Sequence, residues 1–234
     1  RRVCERLNLI MEYAVNTGSL EANPLSGISA AFRPPKKKHL PTIPPKELPK
    51  FLEAVESASM TPTIKMLLYW QLHTVTRPSE AAKTRWSEID LQSAVWTLPP
   101  ERMKNRREHK IPLSQHALEI LSSMKAISEE REFVFPSSRD PRSHANSSSV
   151  NEAVKKMGFK SRLVSHGFRS IASTALNDCR FDKNLVEAAL SHADRNTVRS
   201  AYNRADYLEH RREIMQWWSD YIQDSAPSNK TPTD

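Results

Sequence analysis

Residues 165–202 read SHGFRSIASTALNDCRFDKNLVEAALSHADRNTVRSAY. His166 and Arg169 form a His-x-x-Arg, His192 stands 23 residues after Arg169, and Tyr202 follows ten later. An arginine fork matches two phosphate oxygens at once. A histidine near its ordinary pKa moves protons at neutral pH. A tyrosine hydroxyl becomes a covalent nucleophile when a neighbour takes its proton. The order and spacing predict a phosphate site that carries its own nucleophile. Apolar periodicity predicts helices over 167–178 and 182–192, so these groups hang on a helical frame.

Upstream, the apolar run TPTIKMLLYWQLHTVT (61–76) predicts a central buried helix that hands the chain to Arg77, Pro78 and Glu80. Pro78 suits the first position of a new helix. PKELPKFLEAVESA (45–58) is amphipathic, with Leu48, Phe51, Leu52 and Val55 on one side. WSEIDLQSAVWTL (86–98) predicts two strands around a turn at 91–93, and HKIPL (109–113) a third. Between them, 101–110 holds five Lys or Arg against two Glu. Such a run usually forms a solvated face; in a hairpin connection it can also push Lys104 into a groove, with Arg106 and Arg107 beside it. Helices are predicted over 114–127 with Ser114 as N-cap, over 150–157 closed by Gly158, and over 207–223 with a stripe of Leu208, Met215, Trp218 and Ile222. Residues 137–149 read as an exposed loop.

The expected fold is α+β, mostly α-helical, with a small antiparallel three-stranded sheet. Residues 1–17 predict a helix stopped at Gly18, and a helix this short needs a partner for its stripe. The chain begins at Arg1 rather than methionine, so it is expected to be a fragment. The divisions read as 1–32 for a terminal helix of a preceding domain, 33–44 for a basic Pro-rich linker, 45–224 for the main domain and 225–234 for a disordered tail. The linker carries Lys36, Lys37 and Lys38, a strap suited to a phosphate backbone.

The net charge of +8 points to a polyanionic partner. Only four glycines are present and no Gly-rich loop precedes a helix, which argues against a P-loop or dinucleotide fold. No apolar run approaches about 18 residues, so no membrane span is expected. The two cysteines, Cys4 and Cys179, lack metal or disulfide spacing and suggest a reducing, intracellular setting. No carboxylate cluster has metal spacing, and no metal or other cofactor is expected.

TRPSE (76–80), the hairpin lysine before HKIPL, HGFR (166–169), LSH (190–192) and AYNRADY (201–207) together resemble the tyrosine recombinases, the integrase family of site-specific DNA recombinases. The resemblance covers about residues 45–224, and the C-terminal phrase looks most like integrases of enteric prophages and genomic islands. Ser191 stands where that family usually has glycine, and Thr76 where it often has a short apolar or glycine-containing turn. The resemblance implies a recombinase that works on double-stranded attachment-site DNA as a homotetramer, with a DNA-bending host factor and an excisionase as further partners. Residues 1–30 would be the last helix of a core-binding domain.

The same chemistry follows from the residues. Arg77 and Arg169 clamp the non-bridging oxygens, Tyr202 attacks, His166 takes its proton, Lys104 protonates the departing 5′ oxygen and His192 braces the phosphate. Glu80 orients Arg77 or its helix rather than touching DNA. Tyr207 and Tyr221 are the rival nucleophiles, His73 and His116 read as structural or exposed, and Trp217 and Trp218 as core or a subunit contact. A type IB topoisomerase and a catalytically silent DNA-binding remnant are the alternative readings.

Overall fold

The computed structural model describes residues 2–32, 40–103, 106–191 and 207–227. The chain forms two compact units, Arg1–His39 and Leu40–Asp234.

In the first unit, α1 (Arg2–Asn16) ends at Gly18, whose φ of 75° places it in the left-handed region. Asn23 ties the following turn back by donating to Asn8 Oδ1 at 2.9 Å. Val3, Leu9, Ile10 and Tyr13 leave an exposed apolar face on α1.

The second unit is built around α3 (Pro62–Thr74), whose Leu67, Leu68, Trp70 and Leu72 are fully buried. Trp70 packs on Trp96 at 5.1 Å between centroids and donates its indole N–H to Thr84 Oγ1 at 3.1 Å. A buried indole needs such a partner. Residues 40–44, part of the expected linker, pack with this unit, and Ile43 is buried in its core. A 3₁₀ turn (Pro45–Glu47) leads into α2 (Leu48–Ser57), which buries Leu48, Phe51, Leu52 and Val55, the stripe read from the sequence. α4 (Pro78–Ala82) starts at its proline.

The sheet has the order β1 (Ile89–Asp90), β2 (Val95–Leu98), β3 (His109–Pro112), antiparallel throughout. Its register pairs Ile89 with Trp96 and Leu98 with His109. Asp90 Oδ1 accepts the amides of Gln92 and Ser93, which closes the first turn. α5 (Gln115–Ser128) takes Ser114 as its N-cap, the Ala117 amide donating to Ser114 Oγ at 3.3 Å. The loop before α6 (Ser149–Val154) is anchored rather than wholly exposed, because Ala145 is buried and its amide donates to Phe135 O at 2.7 Å. α6 runs into a π turn (Lys155–Phe159) that Gly158 closes at φ 86°. α7 (Phe168–Asp178) and α8 (Lys183–Ala189) follow.

The last helix, α9 (Leu208–Ser225), lies against α3, α5, α8 and β3. Its buried face corrects the predicted stripe: Arg211, Ile214 and Ser219 join Met215, Trp218 and Ile222, while Leu208 is only half-buried. Trp218 is fully buried in its own chain and donates to Leu72 O at 2.8 Å, so it is core rather than a subunit contact. Trp217 is half-buried, stacked on Tyr221 and edge-on to Phe181. His73 is buried and shares a 2.5 Å hydrogen bond with Ser219 Oγ, which meets Ser114 Oγ at 2.5 Å. That chain ties the C-terminus of α3 to α9 and to the N-cap of α5. Burial, then His116, pushes the His73 imidazole down to about 3, so it is neutral.

Candidate active site

α3 ends in Val75 at φ 48°, a left-handed conformation that costs a β-branched residue energy. The reversal points the Val75 carbonyl inward and starts the turn to Arg77. Arg77 is the N-cap of α4, and Glu80 stands at its third position. The Glu80 carboxylate accepts the Arg77 amide at 2.9 Å and Arg77 Nη1 at 2.7 Å. Glu80 is buried, whereas the Arg77 side chain is 25% exposed. Arg77 Nη2 reaches Ser191 O at 3.5 Å.

Arg169 comes from α7. Its neighbour Phe168 is fully buried against Phe51, which fixes the helix start. Arg169 is 5% exposed. Its Nη1 donates to Val75 O at 2.5 Å and its Nη2 to Leu190 O. Burial first, then the positive charge of Arg77, pushes its guanidinium down to about 10, opposed by Glu80 and Glu187, so it stays charged at neutral pH. The two arginines thus end on consecutive carbonyls, Leu190 and Ser191, directly before His192 in the chain. Ser191 holds φ 50°, which explains why a glycine suits that position.

His166 sits half-buried in a 3₁₀ turn, Ser165–Gly167. Gln71 Nε2 donates to Ser165 O at 3.1 Å, the Ser165 amide to Asn151 Oδ1 at 3.2 Å and Thr42 Oγ1 to Gly167 O at 3.1 Å. A Cβ at Gly167 would lie 2.7 Å from Pro41 O, so only glycine fits this approach.

This frame can be set beside known proteins. Residues 41–209, most of the chain, match the model of the phage integrase family. This chain belongs to that family. It is 50% identical over 222 residues to prophage integrase IntA of Escherichia coli K12, covering 95% of this chain and 54% of that protein. It is 33% identical to the integrase of enterobacteria phage P4, covering 95% and 54%. The chain therefore spans about half the length of these curated relatives. In fold it is similar to a lambda integrase dimer bound to a COC′ core site, with a TM-score of 0.61 at 21% identity over 87% of this chain and 72% of that one. A lambda integrase tetramer bound to a Holliday junction gives 0.62 at 20% identity, over 83% and 58%.

Of the sequence-predicted residues, the integrase fold brings Arg77, Glu80 and Arg169 together, with His166 one helical turn before Arg169. Arg106 and Arg107 are exposed in the connection between β2 and β3. Lys36, Lys37, Lys38, Lys104, His192 and Tyr202 lie outside the described residues. Among the rival nucleophiles, Tyr207 precedes α9 and Tyr221 lies on it against Trp217 and Trp218.

Three residues were not legible as part of this site. His109 opens β3, where burial first, then Arg211, Arg169 and Arg77, push its imidazole down to about 3. It is a neutral ring within the field of three arginines from three helices. Arg211 is buried on α9. Arg102, inside the basic run, folds back instead of facing solvent and bonds Glu88 and the Glu80 carbonyl. A groove at the N-terminal end of α3, lined by Met60, Ile64, Lys83, Arg139 and Lys156, holds none of the site residues.

Proposed function

We propose that this protein is the catalytic part of a site-specific DNA recombinase that cuts and rejoins strands through a 3′-phosphotyrosyl intermediate, serving integration and excision of a prophage or genomic island. The observation that carries this reading is the convergence of Arg77 and Arg169 on the carbonyls of Ser191 and Leu190. Two forks from segments far apart in sequence end on the two residues that precede His192 in the chain. The family membership and the DNA-bound lambda integrase fold support the same reading.

In the proposed reaction the scissile phosphate lies between the two guanidinium groups, which take up the charge on its non-bridging oxygens. The Tyr202 oxygen forms a bond to phosphorus and its proton passes to His166. The bond to the 5′ oxygen breaks, and that oxygen takes a proton from Lys104. His192 braces a phosphate oxygen. Rejoining reverses each transfer. The phosphotyrosyl bond conserves the energy of the phosphodiester, so neither a nucleotide nor a metal is required. Lys36–Lys38, Arg106 and Arg107 neutralise flanking phosphates. The working species is a homotetramer on two attachment-site duplexes, assisted by a DNA-bending host factor and an excisionase.

The test is a suicide duplex of the attachment site, nicked so that the cut strand cannot rejoin. A covalent adduct is expected with the natural chain and none with Tyr202→Phe. An adduct that survives the substitution moves the nucleophile elsewhere.

A further inference from the structure

Arg102 stands two residues before Lys104 in the sequence. Arg102 ends the 3₁₀ turn Pro100–Arg102, and its side chain is 15% exposed. One end of its guanidinium bonds the Glu88 carboxylate and the other donates to Glu80 O at 2.7 Å. Glu88 is itself fixed: its Oε2 accepts the Arg85 amide and the Trp96 indole, each at 3.1 Å. The Glu80 carbonyl lies in the last turn of α4, where helix carbonyls lack partners within the helix. Arg102 supplies one. Glu80 in turn grips Arg77 through backbone and side chain. Met103 is buried, and the Arg106 amide donates to its carbonyl at 3.0 Å, so both flanks of residues 104–105 are pinned.

We propose that Arg102 is a positioning residue for strand cleavage: it joins the hairpin that carries Lys104 to the helix that carries Arg77, through Glu88 on one side and Glu80 on the other. The proposal rests on the reading of Lys104 as the acid for the 5′ oxygen. A salt bridge that only held the fold would lower every activity alike. A residue that places the acid affects only leaving groups that need a proton.

The experiment uses two suicide duplexes, one with the ordinary 5′ oxygen at the scissile phosphate and one with sulfur in that bridging position. A thiolate departs without protonation. Single-turnover cleavage is measured for the natural chain, Arg102→Lys, Arg102→Met, Lys104→Ala and Arg77→Ala. Both Arg102 variants are expected to lose about tenfold or more on the oxygen substrate and to come within about threefold of the natural chain on sulfur. Arg77→Ala is expected to fail on both. The oxygen-to-sulfur ratio within one preparation is independent of how much protein is folded. Equal losses on both substrates, or no loss on oxygen, overturn the proposal. Rescue of Lys104→Ala without rescue of the Arg102 variants sinks the positioning role alone. Rescue of neither sinks the assignment of Lys104 and the positioning role with it.

Discussion

Arg77 leaves its turn already holding a carboxylate, whereas the hydrogen bonds of Arg169 among the described residues go to carbonyls. The Glu80 pair largely cancels the charge of Arg77 and fixes its direction, leaving the side chain a quarter exposed. Arg169 is buried, aimed by Val75 and Leu190, and keeps its full charge against the field of Arg77. Carbonyl dipoles orient a guanidinium without neutralising it. One arm of the clamp is therefore directional and partly compensated. The other is a source of net positive charge in a dry setting, where Coulomb terms are large.

Three substitutions put that contrast at risk. Arg169→Ala is expected to lower single-turnover cleavage by about three orders of magnitude or more while DNA affinity stays within about tenfold, because many other basic residues hold the backbone. Equal collapse of binding and cleavage, read by anisotropy and adduct formation, would make it a structural arginine. Glu80→Gln keeps the shape and removes the compensating charge, so a smaller loss of about tenfold is expected. A loss as deep as that of Arg169→Ala would erase the distinction between the two arms. The smallest effect is electrostatic. Removing Arg169 should raise the His109 pKa more than removing Arg77 does, read from ring proton shifts, since Arg169 acts on it more strongly.

His109 and His73 also make the stability of the fold depend on pH. Both are held near 3 when folded and return toward 6.5 when unfolded. The unfolded chain therefore binds more protons in that window. Their contribution is complete above about pH 6.5 and is lost as pH falls toward about 3. Each histidine contributes a slope of up to about 1.4 kcal/mol per pH unit, measurable as urea midpoints between pH 7.5 and 5. A flat profile would show that neither imidazole is desolvated.

Much of this molecule was legible in advance because it follows periodicity and local chemistry. The stripe of α2, the hairpin around 91–93, the Ser114 cap and the three-residue step from Arg77 to Glu80 are all encoded by neighbours in sequence. The other arm was not. The carbonyls that hold Arg169 carry no residue signature, and the bends that present them use Val75 and Ser191 in the left-handed region, where a reader looks for glycine. Apolar periodicity passed over Arg211 and Ser219 on the buried face of α9, because a polar residue enters a core only with a partner that spacing does not reveal. The basic run 101–110 read as a solvated face, yet Arg102 turns back into the body toward two glutamates distant from it in sequence.

The carbonyl grip on Arg169 has a genetic side. A carboxylate partner is a mutable target, so a screen can weaken the first arm from position 80 as well as from position 77. The acceptors at Val75 and Leu190 belong to the main chain, and no side-chain exchange deletes them. Mutants with a damaged second arm should therefore cluster at codon 169 and at codons that bend the backbone, and suppressors that offer Arg169 a replacement partner have no vacated place to fill.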